Sequence, residues 1–117
     1  MPQYMLILHD DLAALQAISP AEMQRVIERY QAWSETMAAK GHMRGGEKLR
    51  DASGRHLTKP GGTLVVRDAP YAEAKEVVGG YFLIEAQDYD EAVALSSDCP
   101  HLALGGRIEL REIEPLG

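Results

Sequence analysis

The sequence predicts an α+β fold in which two helices cover one face of a four- or five-stranded antiparallel sheet. Strand-like and helical patterns follow one another in the order β, α, β, β, (β), α, β. Each helical pattern begins with its own N-cap signal, and two of the strands are apolar on both faces. With 117 residues, positions 1–117 have the length of a single domain with one core.

The first strand and the first helix have the clearest patterns. The apolar run Tyr4 to Leu8 is a strand that ends at the polar group His9-Asp10-Asp11. Ser19-Pro20-Ala21-Glu22 is a capping box that begins a helix, and Gly41 ends that helix. The apolar residues of the helix recur at spacings of three and four and predict one stripe that covers the sheet: Met23, Val26, Ile27, Tyr30, Trp33 and Met37.

The middle of the chain is polar and broken by glycines. The segment from His42 to Pro60 predicts a short strand and a long hairpin connection. A β-branched strand from Thr63 to Arg67 leaves this connection. Pro70 disfavours helical geometry at the preceding residue, so Asp68 to Tyr71 is predicted to be a turn or an extended loop.

The last third predicts two strands and a second helix. The strand Val77 to Ile84 contains Gly79-Gly80, where a bulge or a close backbone approach is the usual reason for glycine. Asp88 and Glu91 form a capping pair for a helix that stops before Pro100. The final strand runs from Arg107 to Ile113.

The two strands that are apolar on both faces predict a homodimer. Tyr4 to Leu8 and Tyr81 to Ile84 expose apolar side chains on either side of the sheet, but two helices cover only one side. In a chain of this length, a second copy packed sheet against sheet about a two-fold axis is the economical cover.

Composition and charge exclude several classes of protein. The net charge of −6 argues against direct nucleic-acid binding, which needs a basic surface. The N-terminus has neither a basic region nor an apolar run long enough for a signal or a membrane span, so we expect a cytoplasmic protein without a membrane partner. The single cysteine, Cys99, is expected to be a packed small side chain rather than a nucleophile.

Residues 40–60 form a basic segment in an otherwise acidic chain. They contain six of the twelve Lys and Arg residues and only two acidic residues, together with His42 and His56. One interpretation is a solvated, flexible hairpin, because the segment is rich in glycine. The other is a mobile basic arm that folds over a small anionic ligand.

The stretch RDAPYAEAKEVVGGYFLIEA, Arg67 to Ala86, resembles the signature of the DGPF group of the YCII-related proteins. That signature has an Asp-Gly-Pro-Phe sequence, an Ala-Glu-Ala-Lys-Glu run and a Gly-Gly-Tyr strand. The resemblance includes the YMLIL opening, the Ser-Pro-x-Glu cap and the GGRIELREI ending. Ala69 stands where the group has Gly, and Tyr71 stands where it has Phe.

The resemblance implies a ferredoxin-like, dimeric α+β barrel. Proteins with this fold include enzymes similar to muconolactone isomerase and to dehydrochlorinases, in which a polar cluster moves protons or eliminates halide. Smaller YCII-type relatives have a proposed dyad of a carboxylate and a His at the start of helix one. Residues 20–40 contain no His, so that dyad is not transferred to this chain. The DGPF group also resembles accessory proteins of extracytoplasmic-function sigma factors, which implies a sigma factor as a partner.

Three acid–base candidates stand out. His9 at the end of a central strand is the best candidate general base, with Asp10 and Asp11 beside it. Asp68 and Glu73 belong to the densest group of titratable residues, for which the alternative is a solvated charged turn. For His9, the alternative is a purely structural histidine at a strand end. His101 could approach the same region, but the sequence does not place it. The predicted ligand-binding residues are Tyr71, Lys75, His42 and Tyr81.

Two functions follow from these residues. The first is a small-molecule-binding or regulatory module, linked to a sigma factor, with an unidentified metabolite in its pocket. The second is an isomerase, lyase or dehydrochlorinase that works without a cofactor by acid–base chemistry on a small polar or aromatic compound. No motif for metal binding, phosphate binding or a nucleophilic serine is present, so we expect neither a metal nor a cofactor.

Overall fold

An antiparallel sheet with helices against one face dominates the computed structural model, which describes residues 1–71 and 73–117. Ala72, in the Ala-Glu-Ala-Lys-Glu run, lies outside the described residues. The elements in chain order are β1 (Gln3–Asp11), α1 (Leu12–Ala17), α2 (Pro20–Ala39), β2 (Met43–Lys48), β3 (Arg55–Thr58), β4 (Val65–Asp68), β5 (Glu76–Glu85), α3 (Tyr89–Ser96), α4 (Pro100–Ala103) and β6 (Arg107–Glu112).

The topology confirms the predicted fold class. Over the described part of the chain, four strands form the main sheet in the order β2-β5-β1-β6, and every neighbouring pair is antiparallel. This order with helices between the strands is consistent with a ferredoxin-like α+β fold. Strands β3 and β4 pair with each other as a separate hairpin, which we call the arm (residues 55–68).

Side-chain oxygens cap the two longer helices as predicted. The Ser19 hydroxyl accepts a hydrogen bond from the Glu22 backbone N–H (3.1 Å) at the start of α2. The Asp88 carboxylate accepts one from the Glu91 N–H (2.9 Å) at the start of α3. Each cap satisfies a backbone donor that has no partner within its helix.

The core lies between the helices and one face of the sheet, here called the helix face. Tyr4, Leu6 and Leu8 alternate along β1 and are buried, as is Ile84 of β5 opposite Tyr4. Trp33 of α2 packs edge-on against Phe82 with ring centroids 5.0 Å apart. The buried members of this core are Tyr4, Leu6, Leu8, Trp33, Met37, Ile84, Ala86, Ala92 and Cys99.

The structure extends one predicted strand and adds two short helices. Strand β1 continues to Asp11 because Asp10 and Asp11 pair with Val77 and Glu76 of β5. Asp11 then caps α1 through a bond from the Ala14 N–H (3.1 Å), a helix that the sequence pattern did not predict. The short helix α4 was also missed, since Pro100 indicated a stop but here occupies a first helical position.

The predicted bulge at Gly79-Gly80 is confirmed. Leu8 pairs with Gly80 and His9 pairs with Val78, so Gly79 is the extra residue in β5. The turn after Asp68 also agrees with the prediction. Among the described residues, only glycines have a positive φ. Ala69 therefore replaces the family's glycine without a left-handed backbone.

Among the helices of the described residues, none is long and apolar enough to cross a membrane.

Candidate active site

A cavity of about 710 Å³ lies between the helix face of the sheet and the first half of α2. The apolar stripe of α2 is divided between two environments. Trp33 and Met37 are buried in the core, whereas Met23, Val26, Ile27 and Tyr30 line the cavity together with Leu15 and Ile18. Pockets of this size with mostly apolar walls are typical small-molecule sites.

Glycines form part of the sheet side of this cavity. Gly46 and Gly80 lie on the helix face, because the register puts them beside Phe82 and Leu8. A Cβ added at Gly80 would lie 2.6 Å from the Glu47 carbonyl oxygen. A Cβ added at Gly46 would lie 2.6 Å from the Phe82 ring, so the sheet accepts no side chain at either position without movement.

Asp10, Tyr30 and His101 form a polar cluster in this largely apolar cavity. The Tyr30 hydroxyl lies 2.7 Å from His101 Nδ1. Asp10 Oδ1 lies 3.7 Å from the same nitrogen. The three residues come from α2, α4 and the end of β1, so the fold assembles the cluster from distant parts of the chain.

Hydrogen bonds orient the His101 ring, which is 2% exposed. Its Nε2 lies 2.9 Å from the His9 carbonyl oxygen and 3.2 Å from the Arg107 carbonyl oxygen. Carbonyl oxygens only accept, so Nε2 carries a proton and donates it. In neutral His101, Nδ1 is therefore the acceptor for the Tyr30 hydroxyl, and its lone pair points into the cluster.

Burial perturbs the two acidic groups of the cluster. Burial raises the pKa of the Asp10 carboxyl, and the nearby His101 opposes this shift. Burial also raises the pKa of the Tyr30 hydroxyl, which is therefore protonated at working pH. Asp10 thus titrates closer to neutrality than an exposed carboxyl, as general acids and bases do.

Two further glycines make space for this cluster. A Cβ at Gly79, the bulged residue, would collide with the Asp10 carboxylate. A Cβ at Gly106 would collide with the imidazole ring of His101. Gly79 and Gly106 therefore leave the space that the Asp10 carboxylate and the His101 ring occupy.

The two predicted residues on the central strands lie close to this site. The His9 side chain is bonded to Glu109 (3.1 Å) on the face of the sheet opposite the helices, here called the open face, while its carbonyl holds His101. Tyr81 borders the cavity, although the register puts its side chain beside Ile7 on the open face.

The other five predicted residues lie outside the cavity lining. Asp68 is on the arm beside Arg55 (3.4 Å), and its side chain is 89% exposed. Tyr71 stacks on His56 with ring centroids 3.9 Å apart. Glu73 and Lys75 are exposed, and His42 Nδ1 lies 2.8 Å from the Glu85 carbonyl oxygen. The structure does not bring these groups together with His9, and their functional roles stay predictions.

The sequence contained weak signals for the residues that do meet. In the sequence, Asp10 stands out only as a neighbour of His9, Tyr30 belongs to the apolar stripe of α2, and no pattern places His101. A buried Cys99 precedes His101, and burial raises the pKa of its thiol to about 11, in keeping with a packing role. His101 lies in the short helix α4, and residue spacing alone does not reveal that α4 packs beside Asp10 and Tyr30.

Two comparisons with known proteins bear on identity. A search of the curated proteins found no match. The family description that does match is the YCII-related domain, over residues 2–116. Because this match covers nearly the whole chain, the protein belongs to the YCII-related family.

Proposed function

We propose that the protein is a cofactor-free enzyme of the isomerase or lyase type that moves a proton on a small, largely apolar compound. The observation that carries this proposal is the Asp10–Tyr30–His101 cluster in a largely apolar cavity. A polar cluster in a largely apolar pocket can both orient a ligand and perform acid–base chemistry on it.

Each group has a distinct part in the proposed chemistry. Asp10, whose pKa is raised by burial, takes a proton from the bound compound. When His101 is neutral, the Tyr30 hydroxyl donates to its Nδ1. When His101 is protonated, this hydrogen bond reverses, and the Tyr30 hydrogen becomes free to turn toward an oxygen of the ligand. Tyr30 and His101 can therefore return a proton at a second position.

Proton exchange in D₂O tests this proposal. The probes are 4-phenylbutan-2-one and its para-amino and para-carboxyl derivatives, and proton NMR follows the replacement of hydrogen by deuterium beside the carbonyl. We expect the protein to accelerate exchange of at least one probe over buffer. Tyr30→Phe and Asp10→Asn should each remove about 100-fold or more of that acceleration, the lower range for a general acid or base. No acceleration with any probe would overturn the proposal.

The same assay decides between the two histidines. His101→Gln should abolish exchange and His9→Gln should retain it, since the His9 ring is bonded to Glu109 on the open face. The opposite result would restore His9 as the catalytic base. Tyr30→Phe serves as the milder variant, because His101 is buried and its substitution can unfold the chain.

We further propose that the active species is a homodimer joined through the open face. Met5, Ile7, Tyr81 and Leu83 form a half-buried apolar patch there, and ion pairs such as Arg44–Glu85 (2.8 Å) border it. The radius of gyration is 16.1 Å, whereas a compact domain of this length has roughly 13 Å. The flat chain thus has the shape of half of a two-layered assembly.

A ligand-binding regulator that contacts a sigma factor is the second candidate. The observation in its favour is the arm, where Leu57 and Val66 pair with each other and are 63% and 52% exposed. Binding of a probe without any proton exchange, together with retention of the sigma factor by the protein on a column, would support this function over the enzymatic one.

A further inference from the structure

The charged residues around the cavity are mostly acidic. Its described lining contains five acidic residues and, as its only Lys or Arg, one lysine: Asp10, Asp11, Glu22, Glu47, Asp51 and Lys48. The Lys48 ammonium is already bonded to the Asp51 carboxylate (3.3 Å) and to the Leu49 carbonyl (3.0 Å). Among the described lining residues, the one ammonium is thus already engaged by a carboxylate and a carbonyl oxygen before an anionic ligand binds.

The basic segment does not change this charge balance. Arg44 is paired with Glu85 at 2.8 Å, and Arg55 is paired with Asp68 at 3.4 Å, both outside the lining. The six cations in residues 40–60 favour, from the sequence alone, a basic segment that closes over an anionic ligand. Of these six cations, the described lining of the cavity includes Lys48 alone.

The charges at the rim act on the polar cluster. Asp51 and Lys48 lie close enough to Asp10 to affect its titration in opposite directions. A ligand carboxylate placed beside Asp10 would therefore meet Asp51 as well, and like charges brought together in a partly buried site repel each other. A ligand ammonium in the same place would be attracted by the Asp10 carboxylate and would compete with Lys48 for the Asp51 carboxylate.

The aromatic wall of the cavity favours the same sign of ligand charge. Tyr30 and Phe82 line the cavity as a stacked pair, with ring centroids 6.2 Å apart and an angle of 27° between the rings. The faces of such rings attract cations. This attraction arises from the ring electrons and is independent of the carboxylates.

We propose that the ligand of this cavity is an amphiphilic amine, with an apolar body along α2 and an ammonium head beside Asp10 and Asp51. This inference rests on the proposed function, because it places the ligand in the same cavity. It goes further by assigning the charge of the ligand: the site selects a cation over a carboxylate of the same shape.

A matched series of probes tests the selectivity. Isothermal titration calorimetry would measure the binding of 4-phenylbutylamine, 4-phenylbutanol and 4-phenylbutyrate to the full-length protein at pH 7. We expect the amine to bind about ten-fold more tightly than the carboxylate, and more tightly than the alcohol. A carboxylate or an alcohol that binds as tightly as the amine would overturn the inference.

Two aspartate variants locate the selectivity. Asp51→Asn removes one negative charge and releases Lys48, so the ratio of amine to carboxylate affinity should fall by at least about three-fold. Asp98→Asn removes an exposed carboxylate that does not line the cavity and should leave the ratio unchanged. If both variants change the ratio equally, the selectivity is a property of the net charge, and the inference fails.

The two proposals fail in different ways. Tight amine binding without proton exchange on any ketone would support the ligand class and overturn the enzymatic function. Exchange on the ketones with no preference for the amine in the calorimetric series would overturn the ligand class alone.

Discussion

At the scale of single residues, the site depends on the absence of a side chain at two glycines as much as on the side chains that form it. Gly79 and Gly106 leave the volume that Asp10 and His101 occupy, and a Cβ at either position would overlap with those groups. The sequence identified Gly79-Gly80 as a feature of strand geometry. Only the three-dimensional structure shows that Gly79 lies against the Asp10 carboxylate and that Gly106 lies against the His101 ring.

Gly79→Ala tests this relation. Because the added methyl group collides with the Asp10 carboxylate, we expect a loss of about 1–3 kcal/mol in the free energy of unfolding, the usual cost of overpacking. Gly45→Ala is the matched control in a neighbouring strand, where the new Cβ would lie 3.8 Å from Leu83. Urea unfolding of both variants measures the difference, and equal costs would contradict the proposed crowding at Asp10.

Asp10 also predicts a pH dependence of stability. Burial raises its pKa, so the folded state retains a proton that the unfolded chain releases. The free energy of unfolding therefore falls as the pH rises from about 3.9, the unfolded value, through the raised folded value. The charged groups that act on Asp10 are His101, Asp51, Lys48 and His9.

Asp10→Asn isolates this dependence. The variant cannot titrate at position 10, so its stability relative to wild type should rise with pH across that window. The acids Glu76 and Glu85, whose pKa values are lowered by hydrogen bonds from Arg107 and Arg44, stabilise the fold above their unfolded pKa in both proteins and cancel in the difference. Thermal unfolding from pH 3 to 8 provides the measurement, and parallel curves would refute a raised pKa.

At the scale of elements, α2 has two functions along one stripe. The stripe was predicted to cover the sheet throughout, and its second half does so through Trp33 and Met37. The first half lines the cavity together with residues of α1 and glycines of the sheet. Helical periodicity identifies an apolar face but does not say whether protein or ligand fills the space beside it.

Two methionines on this stripe test the division. Met37 is 3% exposed, so Met37→Ala should cost about 2–5 kcal/mol in the free energy of unfolding. Met23 is half-buried at the cavity wall, and Met23→Ala should cost less than about 1 kcal/mol. Only the second variant should also change the affinity for 4-phenylbutylamine. Similar costs for both variants would place Met23 in the core and remove the cavity from this half of α2.

At the scale of the whole molecule, the open face of the sheet is the surface through which we propose that two copies pair. Its apolar centre was predicted from two strands that are apolar on both sides, and the register puts Ile7 beside Tyr81 and Met5 beside Leu83 there. The dimer that would cover this face stays a prediction. A second copy would exclude water from both patches at once, because a two-fold axis brings identical surfaces together.

Ile7→Glu tests the dimer. A carboxylate in the centre of the buried patch should convert a dimeric wild type into a monomer, since an unpaired charge is costly to bury. Leu57→Glu, on the exposed face of the arm, should leave the dimer intact. Sedimentation equilibrium distinguishes these outcomes. A monomeric wild type, or dissociation by the arm variant alone, would move the interface away from the sheet.

The sequence by itself determined the fold class, the caps of α2 and α3, the bulge at Gly79 and the family. These features depend on local patterns, in which periodicity, capping residues and glycines act within a few positions of each other. The meeting of Asp10, Tyr30 and His101 was decided by the tertiary structure alone. It requires the end of β1, the first half of α2 and the short helix α4 to pack together, and packing between elements so far apart in the chain leaves no periodic signal in the sequence.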